Sequence, residues 1–162
     1  MKRWVTIALM VGVLLASGCS KFIEYTGPEV TRVVVDKSNR TMLLLHHGEV
    51  LDSFEVELGF APEGHKFREG DGRTPEGEYI IDRRNPNSEF YLSLGIDYPN
   101  ETDAALAAEA GVSPGGDIFI HGTPREFSRT DDWTAGCIAV SDREMRRIYA
   151  MVRDGTPITI LP

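Results

Sequence analysis

The stretch from Val30 to Leu58 narrows most sharply what this chain can fold into. Thr31-Arg32-Val33-Val34-Val35-Asp36 is β-branched text, Lys37-Ser38-Asn39 is turn material, and Thr41 to His46 resumes as a second strand. His47-Gly48 makes the next turn, and Val50 to Leu58 alternates with period two toward its end. Branched and aromatic side chains suit a pleated, half-buried surface, and tight turns between such runs join neighbours antiparallel. The expectation is a three-stranded meander. Glu78 to Asp82, Glu89 to Leu94, Asp117 to His121 and Pro157 to Ile160 read as further strands. Helical text is confined to two places. Thr102 to Ala110 is rich in Ala and stops at Gly111, and Ser141-Asp142-Arg143-Glu144 is a capping box. The box opens an apolar stripe at Met145, Ile148, Tyr149 and Val152, closed by Gly155. The fold class is mostly β with two short helices in a single domain. Residues 59–76 form a long loop rich in Gly, Pro and charge, and such loops in a compact domain commonly serve function.

The first residues read as an address. Met1-Lys2-Arg3 is basic, and Trp4 to Leu15 is apolar but about twelve residues long, where a membrane-spanning helix needs ~20. Ala16-Ser17-Gly18-Cys19 supplies small residues before a cleavage point and resembles a bacterial lipobox, with Leu15 one place earlier than usual. The expected organisation is a lipoprotein signal peptide at 1–18, a lipidated tether at 19–29 beginning at Cys19, and one folded domain at 30–162. Simple secretion with cleavage near Gly18 is the alternative. Ser20 fits, by resemblance, sorting to the outer membrane of a Gram-negative bacterium, with the domain facing the periplasm. The tether is too short to cross a thick wall, so the domain works close to its membrane.

With 17 Lys+Arg against 25 Asp+Glu, the chain has a formal charge of −8. No excess of cations is available for nucleic-acid phosphates. Cleavage would remove Lys2 and Arg3 and no acid, so the body is not expected to lie flat on anionic headgroups. If Cys19 carries lipid, Cys137 is left without a disulfide partner. A lone thiol in an oxidising compartment is either chemistry or an inert buried hydrophobe, and both readings stand on this evidence.

His121 ends a strand, and Cys137 follows in Trp133-Thr134-Ala135-Gly136-Cys137-Ile138-Ala139-Val140. The thiolate is the nucleophile of cysteine chemistry, and a nearby imidazole can take its proton. Gly136 allows close backbone approach, peptide N–H groups at 135–137 could hold an oxyanion, and the field of the helix opening at Ser141 favours negative charge nearby.

His121-Gly122-Thr123-Pro124 followed by Thr134 to Val140 resembles the catalytic signature of the bacterial L,D-transpeptidases of the YkuD type, cysteine enzymes of peptidoglycan cross-linking. Gly70-Asp71-Gly72-Arg73-Thr74-Pro75-Glu76-Gly77-Glu78-Tyr79 is similar to that family's run before its substrate cleft, and Ile158-Thr159-Ile160 to its closing strand. The resemblance covers roughly residues 30–162 and implies a β-sandwich-like domain with the active Cys on the floor of a cleft. It implies Cys137 as nucleophile, His121 as base and Gly122 as the carbonyl that orients the imidazole. Thr134 takes the family's Ser/Thr place, and the amides of Ala135, Gly136 and Cys137 would shape the oxyanion hole. The implied donor is a peptidoglycan tetrapeptide stem, the implied acceptor an amine on another stem or a protein, and no cofactor is implied.

Two positions depart from the pattern. Ala135 stands where many members have His, and Ala139 where many have Asn or Arg. Both removals take away hydrogen bonds near the donor and keep hydrolysis open, as an L,D-carboxypeptidase or amidase. A non-catalytic wall-binding lipoprotein is a third reading. His46, His47 and His65 lack metal-ligand spacing, so no metal is expected. Arg68, Arg73, Arg83, Arg84, Arg125 and Arg129 are either grips for stem carboxylates or solvated ion-pair partners. Tyr98 would line the donor pocket or sit buried, Trp133 would wall the cleft or cover the core, and Asp131 and Asp132 read as a solvated loop.

Overall fold

The computed structural model describes residues 20–162. The signal segment and Cys19 lie outside the described residues. Eight strands form one sheet in the order β3-β2-β1-β8-β4-β5-β6-β7: β1 Arg32–Asp36, β2 Thr41–His46, β3 Glu49–Glu55, β4 Gly77–Asn85, β5 Ser93–Ile96, β6 Phe119–His121, β7 Ile138–Ala139 and β8 Pro157–Leu161. The helices are α1, Glu101–Glu109, and α2, Asp142–Met151. This is the mostly β architecture with two helices that the patterning predicts.

Period-two alternation sets the register. Val33 and Val35 of β1, Met42 and Leu44 of β2, and Ile158 and Ile160 of β8 face one core, while their neighbours along each strand face out. The β1–β2–β3 meander forms as expected, and β8 adds to β1 in parallel, with Val34 level with Thr159. β4 runs longer than its text suggests because it serves two partners. Gly77 to Ile80 pair with β8, and Ile81 to Asn85 pair with β5 across a register irregularity. α2 lays Met145, Ile148 and Tyr149 on this sheet, the spacing of one helix face, and its capping box closes through Ser141 and Glu144. Truncating a fully buried Ile148 to Ala would cost about 2–5 kcal/mol.

Several expectations need correction. Glu89 to Leu92 are not a strand: the Ser88 hydroxyl accepts from the Phe90 N–H, Tyr91 has φ +72°, and the Phe90 carbonyl accepts from both Leu92 and Gly122. These bonds turn the chain, and the strand begins only at Ser93. Asp117 and Ile118 precede β6 because Asp117 is left-handed (φ +54°). α2 ends at Met151 with Val152 extended, so Gly155 serves the following turn rather than the cap.

Residues 20–29 are mostly exposed but are tied to the domain at Lys21, Phe22, Tyr25 and Glu29. Lys21 Nζ donates to the Tyr91 carbonyl at 3.0 Å, and the Phe22 ring centre lies 6.2 Å from that of Tyr149. Lys37, read as turn material, is 2% exposed, and its ammonium donates to the Gly64 and Thr74 carbonyls and to Glu76. It pins the long loop 59–76 to β1.

After β3 the chain crosses to the far edge of the sheet. Glu57 and Ala139 exchange backbone hydrogen bonds of 2.9 and 2.8 Å, and Gly59 bridges Thr134. The sheet thereby returns on itself at the segment that carries Cys137.

Candidate active site

β6 and β7 bring the two reactive side chains together. They run parallel with His121 level with Ala139, so Cys137, two residues earlier, lies level with Phe119. Side chains two apart share a face of a strand, which puts His121 and Cys137 on the same side. Both line one cavity of about 280 Å³, together with Phe90, Asp117 and Phe119. On its other flank Cys137 opens into a second cavity of about 240 Å³, bounded by Lys66, Glu69, Gly115, Gly116 and Ala135. The thiol thus lies where two recesses meet.

His121 is 3% exposed, and its Nδ1 lies 2.7 Å from the Gly122 carbonyl. A carbonyl only accepts, so Nδ1 carries the proton and Nε2 is left as the basic nitrogen. Burial holds the imidazole below its ordinary value, partly opposed by the Gly122 carbonyl. The ring is clamped by aromatics: Phe90 stacks on it at 4.5 Å, and Trp133 meets it edge-on at 5.6 Å. Trp133 in turn stacks on Phe127 at 4.3 Å and backs His121 without lining either cavity, with its indole N–H unpartnered among the described residues.

Burial pushes the Cys137 thiol up, and the Asp117 carboxylate acts in the same direction. A backbone hydrogen bond from Phe119 and the Lys66 ammonium oppose it. The thiol donates to the Asp117 carbonyl at 3.5 Å. Both shifts favour the uncharged forms, so the resting pair at neutral pH is neutral thiol and neutral imidazole.

The loop before Cys137 is held by Thr134. Its hydroxyl donates to the Cys137 carbonyl at 2.8 Å and accepts from the Gly136 N–H at 3.1 Å. The Gly136 amide is therefore engaged, and of the three amides expected at the oxyanion hole, Ala135 and Cys137 remain outside this bond. Gly136 sits at φ +133°, and an added Cβ would meet the Arg73 carbonyl at 2.6 Å, so only glycine fits. Gly122 is confined as well: a Cβ there would lie 2.8 Å from the Phe90 carbonyl and 2.2 Å from Asp142 Oδ1.

Loop 59–76 forms a wall from buried polar groups. Lys66, 3% exposed, lies on Asp71, whose carboxylate also accepts from the Phe67, Arg68 and Arg73 amides. Burial pushes the Asp71 carboxyl up, but those amides and Lys66 outweigh it and hold it at about 2. Deeper in, Asp103 accepts from the Tyr79 hydroxyl at 2.9 Å and from His65 Nε2 at 3.2 Å, while His65 Nδ1 accepts from the Glu76 N–H.

Other expected residues land elsewhere. Tyr98 lines neither cavity: it is 5% exposed, and its hydroxyl donates to the Pro114 carbonyl at 3.1 Å, bracing the second cavity from behind. Asp132 is no solvated loop residue, because Arg40 grips it with two nitrogens and it accepts from the Leu58 N–H. Arg83 reaches the rim, over the Phe119 ring at 4.7 Å and paired with Asp117, whereas Arg84 caps the carbonyls of Tyr149 and Val152 at the end of α2. The field of α2 is already matched by Asp142 and Glu144 in its own first turn. His46 and His47 meet edge-on at the end of β2. Sequence reasoning passed over Phe90, Asp117 and Lys66. Asn85-Pro86-Asn87-Ser88 is turn text that could have argued against a strand around Phe90.

A family model described as the L,D-transpeptidase catalytic domain, YkuD, matches residues 30–160. The chain belongs to this family. The L,D-transpeptidase-type domain is 30% identical over 126 residues to YafK of Escherichia coli (strain K12), covering 74% of this chain and 46% of YafK. It superposes on the helical cell shape determining protein Pgp2 from Campylobacter jejuni with a TM-score of 0.64 at 25% identity, over 86% of this chain and 50% of Pgp2. It shares its fold with the L,D-transpeptidase from Mycobacterium smegmatis, with a TM-score of 0.56 at 18% identity over 82% of this chain and 59% of that one. The chain spans about half the length of YafK and Pgp2.

Proposed function

We propose that this chain is a cysteine-dependent L,D-transpeptidase acting on peptidoglycan tetrapeptide stems. The observation that carries the reading is one cavity lined by both Cys137 and a His121 whose Nδ1 is committed to the Gly122 carbonyl. In this reading Cys137 Sγ attacks the carbonyl before the terminal D-residue while His121 Nε2 takes the thiol proton. An S–C bond forms, the C–N bond breaks, and the proton passes to the departing amine. In the same reading the Ala135 and Cys137 amides hold the oxyanion. An acceptor amine then enters, attacks the thioester, gives its proton to His121 and returns the thiol. Glu69 and Asp117, beside the second cavity, would attract a cationic amine.

A hydrolytic variant, with water in place of the amine, draws support from Ala135. This small side chain leaves the second cavity without a polar group at the position where many members carry His. In its biological role the reading allies the chain with wall remodelling and, through its likeness to Pgp2, with cell shape. For the exported protein we propose lipidation at Cys19 and attachment to the outer membrane of a Gram-negative bacterium, facing the periplasm.

The test incubates the purified protein with disaccharide-tetrapeptide, with and without an added amine, and weighs the products. Amine-exchanged or cross-linked product, lost in Cys137→Ala, is expected. Tripeptide alone in both incubations moves the enzyme to the hydrolytic reading. Normal turnover by Cys137→Ala refutes the mechanism. The mass of the N-terminal peptide reads the lipid separately.

A further inference from the structure

We propose that residues 20–25 and the C-terminal part of α2 form a docking surface for an anionic phospholipid membrane, an inference that rests on the Cys19 anchor. The chain is acidic overall, but its charge is not evenly spread. Arg84, Arg146 and Arg153 line a groove of about 310 Å³ whose opposite wall is Phe22, Ile23 and Tyr25, and Glu24 is the single carboxylate on it. Arg84 is fixed by the α2 carbonyls and lies over the Tyr149 ring at 3.8 Å. Arg146 and Arg153 form no ion pair among the described residues, so their charge is available to a ligand.

Beside them Phe22 is 52% and Ile23 38% exposed, in a segment otherwise tied down through Lys21 and Tyr25. An apolar pair next to unpaired arginines is the composition of a surface that rests at the headgroup boundary, with rings among the upper acyl chains and cations on phosphates.

Geometry narrows the partner to a bilayer. Phe22 is the third residue after Cys19, and an extended chain reaches only ~3.5 Å per residue. A lipid on Cys19 would therefore hold Phe22 within about 10 Å of the bilayer. Because Lys21, Phe22 and Tyr25 tie the segment to the domain, the anchor has little slack. The same face meets the membrane each time, and the rest of the acidic surface points away.

The full-length lipoprotein, reconstituted in vesicles of phosphatidylcholine alone or with phosphatidylglycerol added, would be followed by hydrogen-exchange mass spectrometry. Slower exchange in residues 20–25 and 146–153 on the anionic vesicles is expected, with that protection lost in high salt and in the Arg146→Gln, Arg153→Gln variant. The salt arm reads the contact in the parent protein, independently of how the variant folds. Equal exchange on both vesicle types, or protection indifferent to salt, overturns the docking surface while leaving the anchor and the enzymatic reading intact. A protein whose N-terminal peptide carries no lipid and whose exchange is unchanged by either vesicle overturns the anchor and the surface together.

Discussion

Thr134→Val isolates the strut that holds the loop before Cys137. The substitution keeps shape and volume, so it opens no cavity, and it removes both bonds of a hydroxyl on a residue 4% exposed. The Cys137 carbonyl loses a donor at 2.8 Å, and the Gly136 N–H loses an acceptor at 3.1 Å. Each buried group left unpaired costs about 1–3 kcal/mol, so the pair should cost about 3 kcal/mol. In a domain of this size that lowers the thermal midpoint by roughly 6–12 °C. Urea unfolding measures the loss directly, with an unchanged slope if the denatured state is untouched. Thr134→Ser is the control: it keeps both bonds and gives up one methyl, costing about 1 kcal/mol. Turnover should fall further in the valine variant than stability predicts, since the loop carrying Cys137 is then free to shift. A valine variant within about 0.5 kcal/mol of the parent, or a serine variant as damaged as valine, refutes the reasoning.

Three further outcomes follow from the site. Because burial raises the Cys137 thiol, its alkylation by iodoacetamide, read by peptide mass spectrometry, should keep climbing beyond pH 9; a plateau below about pH 8 would mean a stabilised thiolate instead. Asp71→Asn should cost about 2 kcal/mol near neutral pH. The parent carboxyl is held at about 2, below its unfolded value, so its stabilisation is complete above the ordinary aspartate range and drains as pH falls toward 2; urea midpoints that differ equally at pH 7 and pH 2.5 would contradict this. Gly122→Ala drives a methyl toward the Phe90 carbonyl and Asp142 and should cost about 1–3 kcal/mol with a larger loss of turnover, measured by calorimetry beside the product assay.

His121 and Cys137 stood out in the sequence through their likeness to the L,D-transpeptidase signature, since the residues alone left the lone thiol open between chemistry and an inert hydrophobe. β1, β2 and β8 were legible from branched and apolar text set between turns, and α2 from its capping box and apolar stripe. What escaped was set by tertiary partners. Lys37 reads as a turn lysine, and nothing local reveals that carbonyls at 64 and 74 and a carboxylate at 76 converge on its ammonium. Asp132 looks solvated until Arg40, far away in sequence, closes on it. Phe90 carries strand propensity, yet backbone bonds from Leu92 and Gly122 commit its carbonyl to a turn, and the ring is left to stack on His121. The 20–29 segment is polar enough to read as a tether, and only the α2 surface turns it into a strap.

The return of the sheet at Glu57 has a consequence for how anything can be recognised beside Cys137. Ala139 pairs with His121 on one side and with Glu57 on the other, so the strand following Cys137 has no free edge there. A peptide cannot be read here by strand addition, the mode that borrows a sheet's ladder and demands a regular L-backbone. Selection must come from cavity walls and single loop amides, one group at a time. A site of that kind is tolerant of mirror-image residues and branched linkages, and it presents no template for the edge-to-edge association that open strands invite.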